Sequence, residues 1–227
     1  MARHGTRAWW VCVLACACAD ITPIEDGQEL NRLVVIQDWF TSIAVLPHDS
    51  GVALFDAGFR AGRIETALQT LGYAPDDVTD VFVTHGHGDH IGALGAFPDA
   101  VVHALPEEQP LLDEAEVRAV ALDPVVRVER PPFAIEVLPV PGHTPGSAAY
   151  LVDGVLVLGD AALVDAAGHL VPVPEGRSED PQGAEASLVQ LAQLLAPRTD
   201  QVAWVWPSHS RAVSADVLAD WQRGELE

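Results

Sequence analysis

The sequence contains no lysine, and its positive charge rests on 12 arginines set against 33 acidic residues, for a formal charge of −21. A surface of that sign repels phosphate backbones, which argues against a nuclease, an RNA-processing enzyme or any other nucleic-acid partner. Cysteine is almost as scarce. Cys12, Cys16 and Cys18 are the only three, and all lie in or beside the N-terminal run AWWVCVLACACA. The rest of the chain has neither a disulfide framework nor a thiolate for catalysis or metal binding. Long apolar runs are missing too. The N-terminal stretch, about 12 residues behind Arg3 and Arg7, is too short to span a bilayer and reads as an export signal over residues 1–18.

At 227 residues and 49% hydrophobic, the chain has material for one sizeable core, so a short tether over 19–31 and a single domain over 32–227 are expected. LVVIQ, TSIAVL and GVALFD are short, β-branched and separated by turn residues, as successive strands are. Ile64, Leu68 and Leu71 then share a helical face that Gly72 is placed to end. VTDVFVT reads as a strand leading into a histidine-rich segment. Beyond it come AVVHAL, an acidic helix starting at Pro106, the strands FAIEVLPV, SAAYLVD and VLVLGD, a helix carrying Leu188, Leu191 and Leu195 up to Pro197, the strand VAWVWP, and a last helix near 214–223. Many strands with a few interspersed helices suggest sheets covered by helices rather than a regular βαβ repeat. The Pro- and Gly-rich stretch 165–183 reads as a long irregular loop able to shape a site.

The densest chemistry is THGHGDH, in which His85, His87, Asp89 and His90 fall within six residues. If the segment continues as a strand, His85, His87 and Asp89 project to one side. His90 joins them only if the chain turns at Gly88 and Asp89 and begins a helix. Imidazoles packed so closely repel one another on protonation, so a cation is the physical reason to gather them, and a thiolate-free set suits Zn²⁺, Fe²⁺ or Mn²⁺. Further donors stand at strand ends: His143 in the rigid turn PGHTPGS, Asp160 closing VLVLGD, and His209 after VAWVWP. His48 and His103 occupy no such position, and His169 is expected to face solvent. Trp39 and Phe40 would form either an apolar lip over the site or ordinary packing.

FDAG, THGHGDH, PGHTPGS, LGD and PSH, in that order over about residues 32–213, resemble the metallo-β-lactamase fold superfamily. The resemblance implies an α/β fold, a four-layer αββα sandwich with the metal site at the edge of two packed sheets. Carried across motif by motif, it implies that His85, His87 and His143 hold one metal, that Asp89, His90 and His209 hold a second, and that Asp160 bridges them. The expected cofactor is two Zn²⁺, with Fe²⁺ or Mn²⁺ also accepted by such ligands. Asp56 matches an early aspartate that orients a ligating histidine. Separately, Val13-Leu14-Ala15-Cys16 resembles a bacterial lipobox, which implies export to the cell envelope and membrane contact only through a lipid on Cys16; a simply cleaved signal is the other reading.

Two cations sharing an oxygen bring a water to near-neutral acidity, which implies hydrolysis of an ester, lactone, thioester or β-lactam, with Asp89 orienting that water and passing its proton on. The glyoxalase II-like relatives hold their thioester partly through an added helical domain, which is not expected here because only a short stretch follows PSHS. The β-lactamase-like ones use a basic side chain for the substrate carboxylate, and Arg177 or Arg211 would be the candidates. Two other readings remain open: a mononuclear iron enzyme resembling sulfur dioxygenases, and a metal-binding module without turnover.

Overall fold

A computed structural model describes residues 21–123 and 126–219. The export segment with Cys16, and residues 220–223 of the expected last helix, lie outside the described residues.

Strands β1 (Glu29–Leu30), β2 (Leu33–Asp38), β3 (Thr41–His48) and β4 (Gly51–Phe55) form an antiparallel meander. Helix α1 (Ala61–Thr70) returns the chain so that β5 (Val78–Phe82) runs parallel to β4, and the short α2 (Gly88–Ile91) follows. Strand β6 (Val101–Ala104), helix α3 (Gln109–Glu114) and strand β7 (Val120–Ala121) continue the parallel edge and complete a seven-stranded sheet. In the second sheet β8 (Arg127–Arg130), β9 (Phe133–Pro139), β10 (Ala148–Val152) and β11 (Val155–Gly159) are antiparallel neighbours. A small hairpin of β12 (Ala162–Val164) and β13 (Leu170–Pro172) and helix α4 (Pro181–Leu195) then lead to β14 (Trp204–Pro207), which lies parallel to β11, and β15 (Val213–Ser214) closes that edge of six strands.

Alternation along the strands sorts the core into layers. From one sheet Ala44, Leu46, Ala53 and Phe55, and from the other Val137, Tyr150, Val157 and Trp206, meet in a buried cluster between the sheets. The intervening residues face outward: Ile43, Val45, Val52 and Leu54 pack under Ile64 and Leu68 of α1, while Leu156 and Leu158 pack under Leu188, Leu191 and Leu195 of α4. Both faces of each central strand are therefore buried, which is why VLVLG reads as a continuous apolar run. The result is the expected four-layer αββα sandwich.

Three expectations need correction. Leu71 lies beyond the last residue of α1 and is exposed, so the apolar stripe of that helix is Ile64, Ala67 and Leu68. The 165–183 stretch is not structureless: β13, a 3-10 turn over Glu175–Arg177 and the start of α4 lie within it. Nor do the described residues of the 19–31 tether hang free. Ile21 bridges to Asp165, Thr22 is bonded to Val164, and Leu30 is fully buried in β1, because each of these backbone groups finds a partner on the domain.

In the middle of β5, Asp80 is buried and accepts from Arg130, from His103 Nε2 at 2.7 Å and from the Thr79 hydroxyl at 2.8 Å. His103 is thus a buried structural histidine tied to Asp80 through Nε2, away from the metal donors. Burial alone would raise the Asp80 pKa, but the Arg130, His103 and Thr79 hydrogen bonds outweigh it and hold the carboxyl well below its usual range. A depressed folded pKa contributes stability above about pH 4 that is lost as pH falls further toward the folded value. Arg130→Met is expected to cost about 2 kcal/mol in urea unfolding at pH 7, a hydrogen-bonded charge pair discounted for the partial exposure of the arginine. The gap to the parent protein should narrow below about pH 4; a gap independent of pH would refute the ion-pair account.

Candidate metal centre

All the donors predicted from sequence stand at the ends of strands on one edge of the sandwich. Strand β5 ends at Phe82; the Val83 amide still reaches the His103 carbonyl of β6, and the Thr84 amide then turns away to Asp56 Oδ1. The histidine segment is therefore a loop entering α2 and not a continuing strand. His85 and His87 gather at one point, and the helical turn from Gly88 carries Asp89 and His90 to another. The second sheet supplies His143 four residues after β9, Asp160 immediately after β11 and His209 two residues after β14.

Two clusters result. His85 Nε2 and His143 Nε2 each lie 3.0 Å from His87 Nδ1. Nitrogens held tetrahedrally at about 2.0–2.1 Å from one ion sit about 3.3 Å apart, so this triad has the spacing of a shared cation. In the second cluster Asp89 Oδ2 lies 3.5 Å from His90 Nε2 and 3.3 Å from His209 Nε2. Asp160 stands between them, with Oδ2 at 3.0 Å from His209 Nε2, 3.6 Å from His143 Nε2 and 3.9 Å from His85 Nε2, and Oδ1 at 3.3 Å from His90 Nε2. Among the described residues, His90 Nε2 and Asp160 Oδ1 are buried without a hydrogen bond. Imidazole nitrogens, carboxylates and two orphaned polar atoms facing each other are what divalent cations would satisfy.

The rings are oriented from behind. Asp56 Oδ2 accepts from His90 Nδ1 at 2.7 Å and from the Thr84 hydroxyl at 2.8 Å. Having donated its proton to Asp56, the Thr84 hydroxyl accepts from His85 Nδ1 at 3.1 Å. One buried carboxylate thereby turns the Nε2 atoms of two histidines, one from each cluster, into the site. Asp56 holds a backbone φ of 61°, a strained setting for a residue with a side chain. His209 Nδ1 donates to the Phe40 carbonyl at 2.7 Å, which turns its Nε2 inward as well.

The two clusters differ electrostatically. Burial holds His85 well below its ordinary pKa, and burial likewise lowers His143 to about 4, so both rings stay neutral with lone pairs available. Burial pushes His90 and His209 the same way, but Asp160, with Asp56 and Asp89 at His90 and Asp89 at His209, outweighs it; His90 is raised well above its ordinary value and His209 to about 10. These two rings carry protons that balance the carboxylates, and a cation binding there must displace them.

Beside the donors opens a cavity of about 350 Å³ with His143, Asp160 and His209 on its wall. Its other walls are mostly apolar, including Ile21, Ile24, Trp39, Phe40 and Leu163, and Arg177 is the arginine that lines it. Trp39, at φ 65° in the tight turn between β2 and β3, is 54% exposed, and Phe40 stacks on His209 with centroids 5.7 Å apart. The two aromatics thus line the cavity rather than the core. His169 lies outside it, exposed and bonded to Asp165. The wall formed by residues 21–24 was not foreseen, since a polar stretch after a signal carries no pattern that announces it. Nor was Glu108, a buried carboxylate behind the first cluster; the signal available was one acid among several in an acidic helix.

The sequence model of the metallo-beta-lactamase superfamily matches residues 36–204. A hydroxyacylglutathione hydrolase of Shewanella oneidensis is 31% identical over 162 residues, which are 68% of this chain and 56% of that one, so the chain spans little more than half of that relative. Among solved structures, a metallo-beta-lactamase family protein from Thermus thermophilus superposes with a TM-score of 0.65 at 25% identity, covering 86% of this chain and 79% of its own. The MIM-2 metallo-beta-lactamase gives 0.67 at 17% identity, covering 88% and 90%.

Proposed function

Because the chain belongs to the metallo-β-lactamase superfamily, whose members are generally hydrolytic and bind metal ions, we propose that it is a binuclear metal-dependent hydrolase that cleaves an ester, lactone, thioester or β-lactam. The observation that carries this reading is the completeness of both clusters: His85, His87 and His143 on one side, Asp89, His90 and His209 on the other, and Asp160 between them. A mononuclear oxygenase has no use for the second set.

Divalent cations held there, with zinc the first candidate, would supply an acidified water and a Lewis acid for the scissile carbonyl. The protein's own groups do the rest. Asp160 and the inward-turned histidines hold fixed charge and lone pairs where the reaction needs them, without reorganisation during the step. Asp89, half-buried and kept ionised because His90 and His209 outweigh its burial, accepts the proton of the attacking water and returns it to the leaving group. Trp39 and Phe40 cover an approach that would otherwise be wet, and the apolar wall accommodates the acyl or leaving-group body.

Arg177 indicates the polarity of the substrate. Among the described residues it has no carboxylate partner, although acidic residues outnumber arginines by 33 to 12 in this chain. A free cation at the mouth of an apolar cavity suits a substrate bearing a carboxylate. Arg177→Ala is expected to raise KM about tenfold for a carboxylated ester and to leave a matched neutral ester nearly unchanged, the effect of one exposed charge-assisted contact. Equal changes for both esters would remove this assignment.

The test of the whole reading is elemental analysis of protein beginning after Cys18, purified without added metal or chelator, followed by turnover on lactones, thioesters and β-lactams. Close to two divalent metals per chain with hydrolysis supports it. A single iron with oxygen uptake replaces it by the oxygenase reading, and metal without turnover replaces it by the binding module.

A further inference from the structure

Glu108 has no part in the chemistry described above, yet the residue is 1% exposed and its carboxylate lies directly behind the first histidine cluster. The sequence places it in the short turn Pro106–Glu108 that starts α3, on the rim of the first sheet. Its two oxygens reach two loops from opposite sheets. Oε1 accepts from the backbone amide of Gly86 at 2.6 Å, between His85 and His87. Oε2 accepts from the Thr144 hydroxyl at 2.7 Å, next to His143, and from the Gly146 amide at 2.9 Å. All three partners are donors, so the carboxylate acts purely as an acceptor bridging the two loops.

A second observation shows that the chain is built around this contact. A Cβ on Gly146 would fall 2.2 Å from the Glu108 backbone nitrogen, and one on Gly86 would fall 2.8 Å from Leu111 Cβ and 3.1 Å from Glu108 Oε1. Both loops lack a side chain where Glu108 and its helix come closest. The two segments belong to different sheets and share no strand ladder; the Ala148 amide bonds the Thr84 carbonyl at 2.8 Å just before the histidines, and Glu108 makes the link at the histidine loops themselves.

We propose that Glu108 is a positioning residue that sets the separation of the His85–His87 and His143 loops, and thereby the affinity and selectivity of the three-histidine site for its metal. The proposal rests on the binuclear reading above. It acts on one site only, because the second cluster is oriented through Asp56 and the Phe40 carbonyl instead.

The experiment is metal retention by the full chain dialysed against graded chelator, comparing the parent protein with Glu108→Gln and Thr144→Val, and thermal unfolding of each in metal-free form. Glu108→Gln presents an amide N–H to one of the three donors, and Thr144→Val removes one donor while leaving Glu108 in place. The expected result is that one metal equivalent leaves at roughly 10–100-fold lower chelator in Glu108→Gln and to a smaller degree in Thr144→Val, the range for groups that orient a metal ligand. The second equivalent should be retained as in the parent, and metal-free unfolding temperatures should agree within a few degrees. Retention of both equivalents at the parent level in folded Glu108→Gln overturns the proposal, as does parallel loss of both with a collapse of metal-free stability in both variants. A parent protein that binds no metal refutes the binuclear reading itself, a result distinct from either.

Discussion

Asp160→Ala is expected to abolish measurable hydrolysis, with kcat/KM lower by at least about 10³-fold, the scale of losing a preorganised charge at a reacting centre. Asp160 lies within 4 Å of ring nitrogens from both clusters. It is nearly buried, and although burial would raise its pKa, His209 and His90 outweigh it and hold the carboxyl well below the usual range. Removing it takes away the group shared by the two sites and leaves His90 and His209 without their main counter-charge, so both should titrate closer to an ordinary imidazole. Metal content should drop to one equivalent or less while the protein stays folded, because the residue closes a strand end and contributes little to the core. Elemental analysis beside steady-state kinetics checks this; two retained equivalents with turnover within tenfold of the parent would sink the bridging role.

Asp89→Asn separates chemistry from assembly. The side chain keeps its shape but loses its proton-accepting oxygen, so kcat should fall about 10²–10⁴-fold, the usual contribution of a positioned acid–base group. KM should change little and the three-histidine metal should remain, since Asp89 lies in the other cluster. The acidic limb of the pH–rate profile, set by ionisation of this carboxyl, should flatten. Near-parental turnover would end the assignment, and loss of both metals would show that the residue matters for loading instead.

The sandwich and the donors were legible because each motif marks a place where an apolar strand stops and polar residues begin, and that boundary survives in one dimension. The bend after Phe82 was not. It depends on Thr84 surrendering its ladder bonds to Asp56 and to Ala148, partners 28 and 64 positions away. Strand alternation therefore put Asp89 with His85 and His87, whereas α2 delivers it to His90 and His209. Glu108 was hidden for a related reason: two of its three partners are glycine amides, and no side-chain pattern connects position 108 with 86 and 146. The Trp39 and Phe40 alternatives could be decided only by geometry, since the same β-turn could have turned them inward or out.

The division of donors between the sheets has a thermodynamic consequence. His85, His87, Asp89 and His90 follow β5 of the seven-stranded sheet, while His143, Asp160 and His209 follow strands of the other. Ions bound across that seam act as a clasp on the interlayer core, and because they bind only the assembled form, they draw the folding equilibrium by RT ln(1 + [M]/Kd). On that reading the melting temperature of this protein should rise with the free divalent metal concentration around it, on top of the stability the interlayer core already supplies.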